Sequence, residues 1–549
     1  MTDVLRVHRD DNVLVALRDQ PAGAEVVFDG ERHALPQGVR AKHKFATREL
    51  AQGDAVVMYG VLVGRATERI PRGGPITTRN VVHAAKDYGA SEARSGWSPP
   101  EVSAWTSRSF LGFHREDGQV GTANHWLVVP LVFCENRNVD MLADAFRKEL
   151  GYAQPETYRE QVADLVRRYR KGAPSEELRR VELPPASAEP EHSPVFPNVS
   201  GIQFLTHEGG CGGTPEDARA LCRLFAGYIR NPNVAGATVL SLGCQHAQVA
   251  MLKEEIERTG ADRGKPVLVY EQQRSPSEYA MLSAAIRDTF AALQDANRLE
   301  RRPAPLSRLT VGVECGGSDG FSGISANPAM GQVADLVVAL GGRAILSEFP
   351  ELCGVEQELI DRSVSPEVAD RFIRLMRAYA ERAAALGAGF DMNPSPGNVR
   401  DGLITDAMKS AGAAKKGGTS PVTGALGYPE YAEEPGLNLL CTPGNDVEST
   451  TGLAGAGANV ILFSTGLGTP TGNPVTPVVK VSTNTDLARR LPDIIDFDAG
   501  AIVTEGRSIE ETGAELLELV IGVASGEVTP KAVRLGQADF IPWKRGISL

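Results

Sequence analysis

Apolar and polar positions follow two different rhythms along this chain, and the change comes near residue 108. Before it the apolar runs are short: 13–17, 24–28 and 55–59 are valine-bearing stretches cut by Pro-Ala-Gly and Gln-Gly-Asp. Such runs predict short strands joined by tight turns, hence a small β-rich module over 1–85. Residues 86–107, polar and carrying Pro99-Pro100, predict a linker. After it, longer apolar runs at 126–133, 201–205 and 237–242 alternate with helical spacing at 139–150, 158–171 and 215–229. A Pro/Glu-rich stretch at 173–196 reads as a surface excursion. Strand runs at 267–270, 309–313, 344–347, 437–440 and 460–463 then alternate with helices at 276–297, 366–386 and 509–524. Strand–helix alternation predicts layered α/β domains, divided here into 108–250 and 251–549.

Composition narrows the class. The chain has 549 residues, too many for one core, with 42% apolar and 23% charged residues, as in an ordinary soluble protein. No apolar stretch has the length of a membrane span, and the N-terminus lacks the apolar core of a secretory signal, so a cytoplasmic location without membrane association is expected. A net charge of −12 argues against a nucleic-acid partner. It also means that a small anionic substrate needs local Lys, Arg or metal to bind. Seven cysteines at irregular spacing, without a CxxC, do not make a disulfide framework. The nine histidines all lie at or before His246, so any histidine base or ligand comes from the first half of the chain.

Two loops carry the densest chemistry: Thr206-His-Glu-Gly-Gly-Cys211-Gly-Gly-Thr214 and Glu314-Cys315-Gly-Gly-Ser-Asp319-Gly-Phe-Ser-Gly323. Each follows an apolar run. Their glycines let the backbone approach a bound group, and their His, Cys, Asp and Ser offer bases, thiolates and hydrogen-bond partners. Other unusual residues also follow predicted strands: Cys134, Cys244 with His246, Glu348, Thr442-Pro-Gly444 and Ser464-Thr465-Gly466. Ligands of open α/β sheets bind beyond the carboxyl ends of the strands, so one face gathers these groups.

The order of these motifs resembles the altronate and galactarate dehydratase family of sugar-acid dehydratases over nearly the whole chain. Asp11-Asn-Val-Leu-Val-Ala-Leu17, His43-Lys-Phe-Ala46 and Tyr59-Gly60 are similar to its small SAF-type N-terminal domain. Gly112-Phe-His-Arg115 through Cys134, then Thr206-His207, Cys211, Asn231-Pro-Asn-Val234 and Gly243-Cys244, are similar to its second domain. Cys315-Gly-Gly-Ser318-Asp319, Asn327-Pro328, Glu348-Phe-Pro-Glu351, Asn393-Pro-Ser-Pro-Gly-Asn398, Lys416-Gly-Gly418 and Thr442-Pro-Gly444 are similar to its third. Three places depart from the family pattern: Pro75-Ile-Thr-Thr-Arg-Asn80 replaces a His-rich stretch, Gln245 a glutamate, and Ala123-Asn124 an Arg-Asn pair. Each loses a charge or a metal-binding side chain, which leads us to expect a substrate other than altronate.

The resemblance implies β-elimination of water from an aldonic or aldaric acid, giving a 2-keto-3-deoxy acid, with Fe²⁺ or Mn²⁺ as the divalent metal. Such a reaction needs a base at the α-carbon, an acid at the leaving oxygen and a cation for the enediolate. His43, His207 and Lys416 are the catalytic candidates. Ser318, Asp319, Asn393, Thr442 and Thr465 are the substrate-binding candidates. Cys134, Cys211, Cys244, Cys315 and Glu348 are the metal candidates, with Glu351 beside Glu348 as a further carboxylate. Converging thiols would also suit a soft metal or an iron–sulfur centre. His43 on the small module predicts that the module closes the site as a lid. A homo-oligomer stays open. So do two other readings: a related lyase expelling another group, such as sulfite, and a non-catalytic ligand-binding homologue.

Overall fold

The computed structural model describes residues 3–91, 96–153, 157–183 and 193–548; His192 and part of the 173–196 stretch lie outside them. The first module is built of short antiparallel pieces, as the cut valine runs predict. Val4–Leu5, Val13–Ala16 and Lys44–Ala46 form one sheet, Glu25–Phe28 and Glu31–Ala34 a hairpin, and Ala55–Met58, Val61–Ala66 and Val81–Val82 another sheet. Leu14, Val26, Leu35, Val39 and Phe45 fill a core of its own. The opposite residues Val13, Val15, Val56 and Met58 pack into the large core of the last domain, as alternation along a strand requires.

The segment 86–107 is not a loose tether. Trp97 Nε1 donates to Thr419 Oγ1 at 3.2 Å, and Trp105 Nε1 to Glu518 at 2.8 Å. It runs along the last domain and leads into the strand Ser109–His114.

The middle domain holds a four-stranded parallel sheet: β1 (His125–Pro130), β2 (Gly201–Phe204), β3 (Val234–Ser241) and β4 (Val267–Glu271), in the order β2-β1-β3-β4. Helix α1 (Asn136–Glu149) lies on one face of it and α2 (Pro215–Arg230) on the other. Thr214 caps α2 and Pro215 starts it, a sequence signature of a helix N-terminus. The strand β4 and the following helix α3 (Glu278–Ala296) correct the boundary at 250. β4 pairs in parallel with β3 through Ala237↔Val267 to Ser241↔Glu271, and α3 packs on the same sheet. The middle domain therefore runs to about residue 297. The apolar pattern of β4 does not distinguish the two sheets, because both need an apolar strand there.

The last domain holds a seven-stranded parallel sheet: β5 (Thr310–Cys315), β6 (Arg343–Leu346), β7 (Val422–Leu426), β8 (Gly436–Leu440), β9 (Val460–Thr465), β10 (Val478–Ser482) and β11 (Phe497–Asp498). The order is β7-β8-β6-β5-β9-β10-β11, so the chain reverses direction of growth between β5 and β9. The helix Ala326–Ala339 is buried almost all round behind this sheet. The chain then returns to the middle domain. Phe540 stacks near Phe225 and Tyr228 of α2, and Asp217 accepts from the backbone N–H groups of Arg545 at 2.9 Å and Gly546 at 3.1 Å. Among the described residues no helix is long and apolar enough to cross a membrane.

Candidate active site

The carboxyl ends of the last domain's strands hold a buried group of charges. Glu314 and Cys315 end β5, Glu348 follows β6, Glu351 lies one 3₁₀ turn on, and Lys416 precedes β7. Lys416 Nζ lies 2.8 Å from Glu348 Oε2 and 3.2 Å from Cys315 Sγ. Cys315 Sγ lies 3.2 Å from Glu351 Oε2, whose other oxygen meets Lys409 Nζ at 2.6 Å. Lys409 also donates to Asn393 Oδ1. Glu348, Glu314 and Lys416 are 0% exposed. Burying such charges is tolerable only when they are paired.

Backbone geometry aims these groups. Glu348 has φ +66°, a left-handed conformation rare for a glutamate, held by its N–H donating to Thr442 Oγ1 at 2.8 Å. Thr442 Oγ1 lies 3.0 Å from Ser449 Oγ, and Glu314 accepts from Ser347 at 2.9 Å and from Ser449. Oε1 of Glu314 and of Glu348 are buried without a partner among the described residues.

The titration pattern follows from this crowding. Burial, then the neighbouring Glu351 and Glu348 respectively, raises the carboxyls of Glu348 and Glu314. Burial raises the Cys315 thiol as well, with Glu351 adding to it. For Lys416 burial opposes the charge, yet Cys315, Glu348 and Glu351 hold the ammonium well above its ordinary range. Glu351 goes the other way: burial would raise it, but Lys409 and Lys416 keep it low and ionised. Asp446, beside Gly316, is raised to about 7 by burial and then by Glu348 and Glu351.

The N-terminal module reaches this face through one turn. Lys42, at φ +74°, sends Nζ to Asp319 Oδ2 at 2.8 Å and towards Asp401 at 3.7 Å. Lys44, wholly buried, donates to the Gly402 carbonyl at 2.8 Å. Gly402 is required: at φ +95° a Cβ there would stand 2.4 Å from the Lys42 carbonyl. His43 is half-buried between them, Nδ1 at 3.2 Å from the Ala41 carbonyl and Nε2 at 3.4 Å from Arg40. Burial is the main cause that lowers its pKa, so it is neutral at neutral pH.

The candidates from sequence thus divide. Cys315, Glu348 and Lys416 are in direct contact, with Thr442 and Asn393 beside them. Ser318 and Asp319 are on the same loop. Ser318 accepts from Asn398 through its carbonyl at 2.7 Å, and the Asp319 carboxylate holds Lys42, Thr483 and Asn484. Thr465 Oγ1 accepts from Gly468 and Thr469 and shapes the neighbouring turn. His207, Cys211, Cys134 and Cys244 lie on the middle domain instead. Both ring nitrogens of His207 are engaged, Nε2 with the Pro130 carbonyl at 2.7 Å and Nδ1 with the Gly209 N–H at 2.9 Å, and burial lowers its pKa to about 4. Cys211 lines a cavity of about 680 Å³ between the middle domain and residues 540–548, with His246, Glu448, Lys544 and Trp543. Among the described residues, one group of His, Cys, Asp or Glu has ligand atoms within 4.8 Å of one another: Cys315, Glu348 and Glu351.

Glu314, Lys409, Lys42 and Asp446 are additions from the structure. A signal existed for Glu314, a charge inside an otherwise apolar strand. The three departures from the family pattern hold backbone. Gln245 Nε2 donates to the Ala247 carbonyl at 3.1 Å, Asn124 Nδ2 to the Asn198 carbonyl at 2.8 Å, and Asn80 Nδ2 to the Pro75 carbonyl at 2.9 Å. None of the three lines the cavity.

Comparison with known proteins agrees with this architecture. Residues 2–84 match the altronate/galactarate dehydratase SAF domain, 112–297 the D-galactarate dehydratase/altronate hydrolase second domain, and 306–548 the D-galactarate/altronate dehydratase C-terminal domain. The altronate dehydratase of Bacillus subtilis (strain 168) is 32% identical over 528 residues, covering 96% of each chain. The altronate dehydratase of Escherichia coli (strain K12) is 31% identical, again over 96% of each. The galactarate dehydratase (L-threo-forming) of the same organism is 28% identical over 95% of this chain and 93% of its own. With all three domains matched in order and this identity along nearly the full length, the chain belongs to the altronate/galactarate dehydratase family of carbon–oxygen lyases.

Proposed function

We propose that this enzyme removes water from an aldonic or aldaric acid to give a 2-keto-3-deoxy acid, using Fe²⁺ or Mn²⁺ held by Cys315, Glu348 and Glu351. One observation carries the reading: two buried lysine ammoniums and three closely set ligand atoms converge at the carboxyl end of a parallel sheet. The donor set fits a divalent ion. It mixes a thiol with carboxylates whose ligand atoms lie within 4.8 Å of one another. Such an ion, when bound, supplies Lewis acidity to the substrate carboxylate.

The chain's own residues do the rest. Lys416 and Lys409 provide positive charge that a protein of net charge −12 otherwise lacks for an anionic substrate, and they offset the charge of the enediolate. His43, neutral and carried by the turn that Lys42 anchors, takes the α-proton. Asp446, with its pKa near 7, gives a proton to the departing β-hydroxyl. The hydroxyl leaves as water with the Asp446 proton, the enol tautomerises to the ketone, and exchange with solvent returns the α-proton held on His43 to the Asp446 carboxylate, so that the net loss is one water. The N-terminal turn excludes solvent while this happens.

The test is a panel of aldonates and aldarates, altronate and galactarate among them, with anaerobic enzyme supplied with Fe²⁺ or Mn²⁺ and 2-keto products measured. Formation of a 2-keto-3-deoxy acid from at least one supports the reading. Absence of product from every member, in correctly folded protein, overturns it.

A further inference from the structure

Three of the cysteines that the Cys315 group leaves out share one place in the fold. Cys134 follows β1, Cys211 follows β2 and Cys244 follows β3, three adjacent parallel strands. Their loops are bonded to one another: the Phe133 N–H donates to the Gly209 carbonyl at 3.1 Å, and the Ala247 N–H to the Gly210 carbonyl at 2.9 Å. The Gly212 N–H reaches His246 Nδ1 at 3.3 Å. Gly210 makes the close approach possible. At φ +94° its absent Cβ would stand 2.0 Å from the Leu131 carbonyl, so the Cys211 loop lies directly on the end of β1. His207 locks that loop from below through both ring nitrogens. All three sulfurs are free thiols, Cys134 and Cys244 exposed and Cys211 half-buried.

We propose that Cys134, Cys211 and Cys244 are the three protein ligands of an iron–sulfur cluster, a site separate from the Cys315 group. Single-ion sites bring thiolates close together: with metal–sulfur bonds of about 2.3 Å, tetrahedral zinc sets its sulfurs about 4 Å apart. The three thiols do not form such a tight set, since no group within 4.8 Å among the described residues contains them. A cubane spreads its ligands more widely and is bound by cysteine thiolates. Three thiolates leave one iron of a [4Fe–4S] cluster without a cysteine. The cavity of about 680 Å³ lined by Cys211 opens this end of the sheet to small molecules. The proposal concerns binding and stands whether or not the substrate reading holds.

The test is composition of the full chain purified without oxygen. Iron and acid-labile sulfide are expected in equal amounts, with a broad visible absorption that dithionite bleaches. Cys134→Ser, Cys211→Ser and Cys244→Ser should each lose the sulfide and the absorption, while Cys222→Ala, in the core of α2, keeps both. A second measurement needs no variant. Alkylation and peptide mapping of cluster-loaded and cluster-stripped wild type should show Cys134, Cys211 and Cys244 protected only when loaded. Iron without sulfide, sulfide that survives all three serine variants, or equal alkylation in both states would each overturn the proposal.

Discussion

The two glycine-rich loops that carry Cys211 and Cys315 look alike in sequence and have opposite surroundings. Cys315 is 2% exposed, pressed among two lysines and three glutamates whose charges nearly cancel. Cys211 is half-buried at a cavity, on a loop hydrogen-bonded to the loops that carry Cys134 and Cys244 and above a histidine kept neutral. One loop is rich in charge and closed. The other is rich in sulfur and open. Glycine content sets how closely a backbone can approach something; it does not say what is approached. That is decided by the side chains brought in from other strands.

The largest effect that would break this contrast is at Lys416. Lys416→Met keeps the length and removes the charge, and kcat should fall about a thousandfold, the scale of losing a preorganised charge partner of the reaction. A variant with a normal melting profile and activity within tenfold of wild type would move the reaction away from the closed loop.

The open loop should be recognised by acid rather than by turnover. The pKa of His207 is lowered from 6.5 to about 4 in the fold, so between these values the unfolded chain binds the extra proton. Its contribution is complete above about pH 6.5 and is lost as pH falls towards 4, on the order of 3 kcal/mol. Urea unfolding at several pH values should show that slope, and His207→Gln should reduce it without abolishing it, because burial lowers the His125 pKa to about 4 as well. Since the histidines all lie at or before His246, the histidine share of this slope belongs to the first two domains. An unchanged slope in the variant would refute this.

A smaller effect tests whether the N-terminal turn serves the closed loop. His43→Ala should lower kcat about a hundredfold, as expected for a lost acid–base group. Wild-type turnover would reduce the turn to an anchor through Lys42. The smallest effect concerns the metal. Glu351→Gln should raise the Fe²⁺ or Mn²⁺ concentration needed for half-maximal activity about tenfold, roughly 1.4 kcal/mol. An unaltered metal requirement would remove Glu351 from the ligand set.

Much of this was legible before the structure. The valine runs at 13–17 and 55–59 became strands, and the amphipathic spacing at 215–229 and 366–386 became helices, because each buries one face. The helix Ala326–Ala339 was not legible: buried nearly all round, it has no polar stripe to set its period. Cys315, Glu348 and Thr442 were singled out because unusual residues at strand ends have few structural uses, and Lys416 through the Lys416-Gly-Gly418 motif of the family resemblance. Lys409 could not, since a lysine in a helix is ordinarily solvated and only the fold turns this one inward onto Glu351. The sequence already put Cys211 and Cys315 in different domains, 108–250 and 251–549, but not that Cys315 alone of the cysteine candidates joins Glu348 and Glu351 among the described residues. Local sequence says that a strand ends, and only strand pairing says in which sheet.

The return of residues 540–548 to the middle domain bears on how the protein is made. Asp217 and Arg545 are 328 residues apart in the chain, yet their contact forms part of the wall beside Cys211. At translation rates of about 5–20 residues per second, that interval takes on the order of tens of seconds. Throughout it, a middle domain that has already folded on the ribosome leaves the cavity beside Cys211 without its second wall. A ligand of this cavity therefore meets an open wall until the tail crosses over, whereas Cys134 and Cys244 are exposed in the finished protein too.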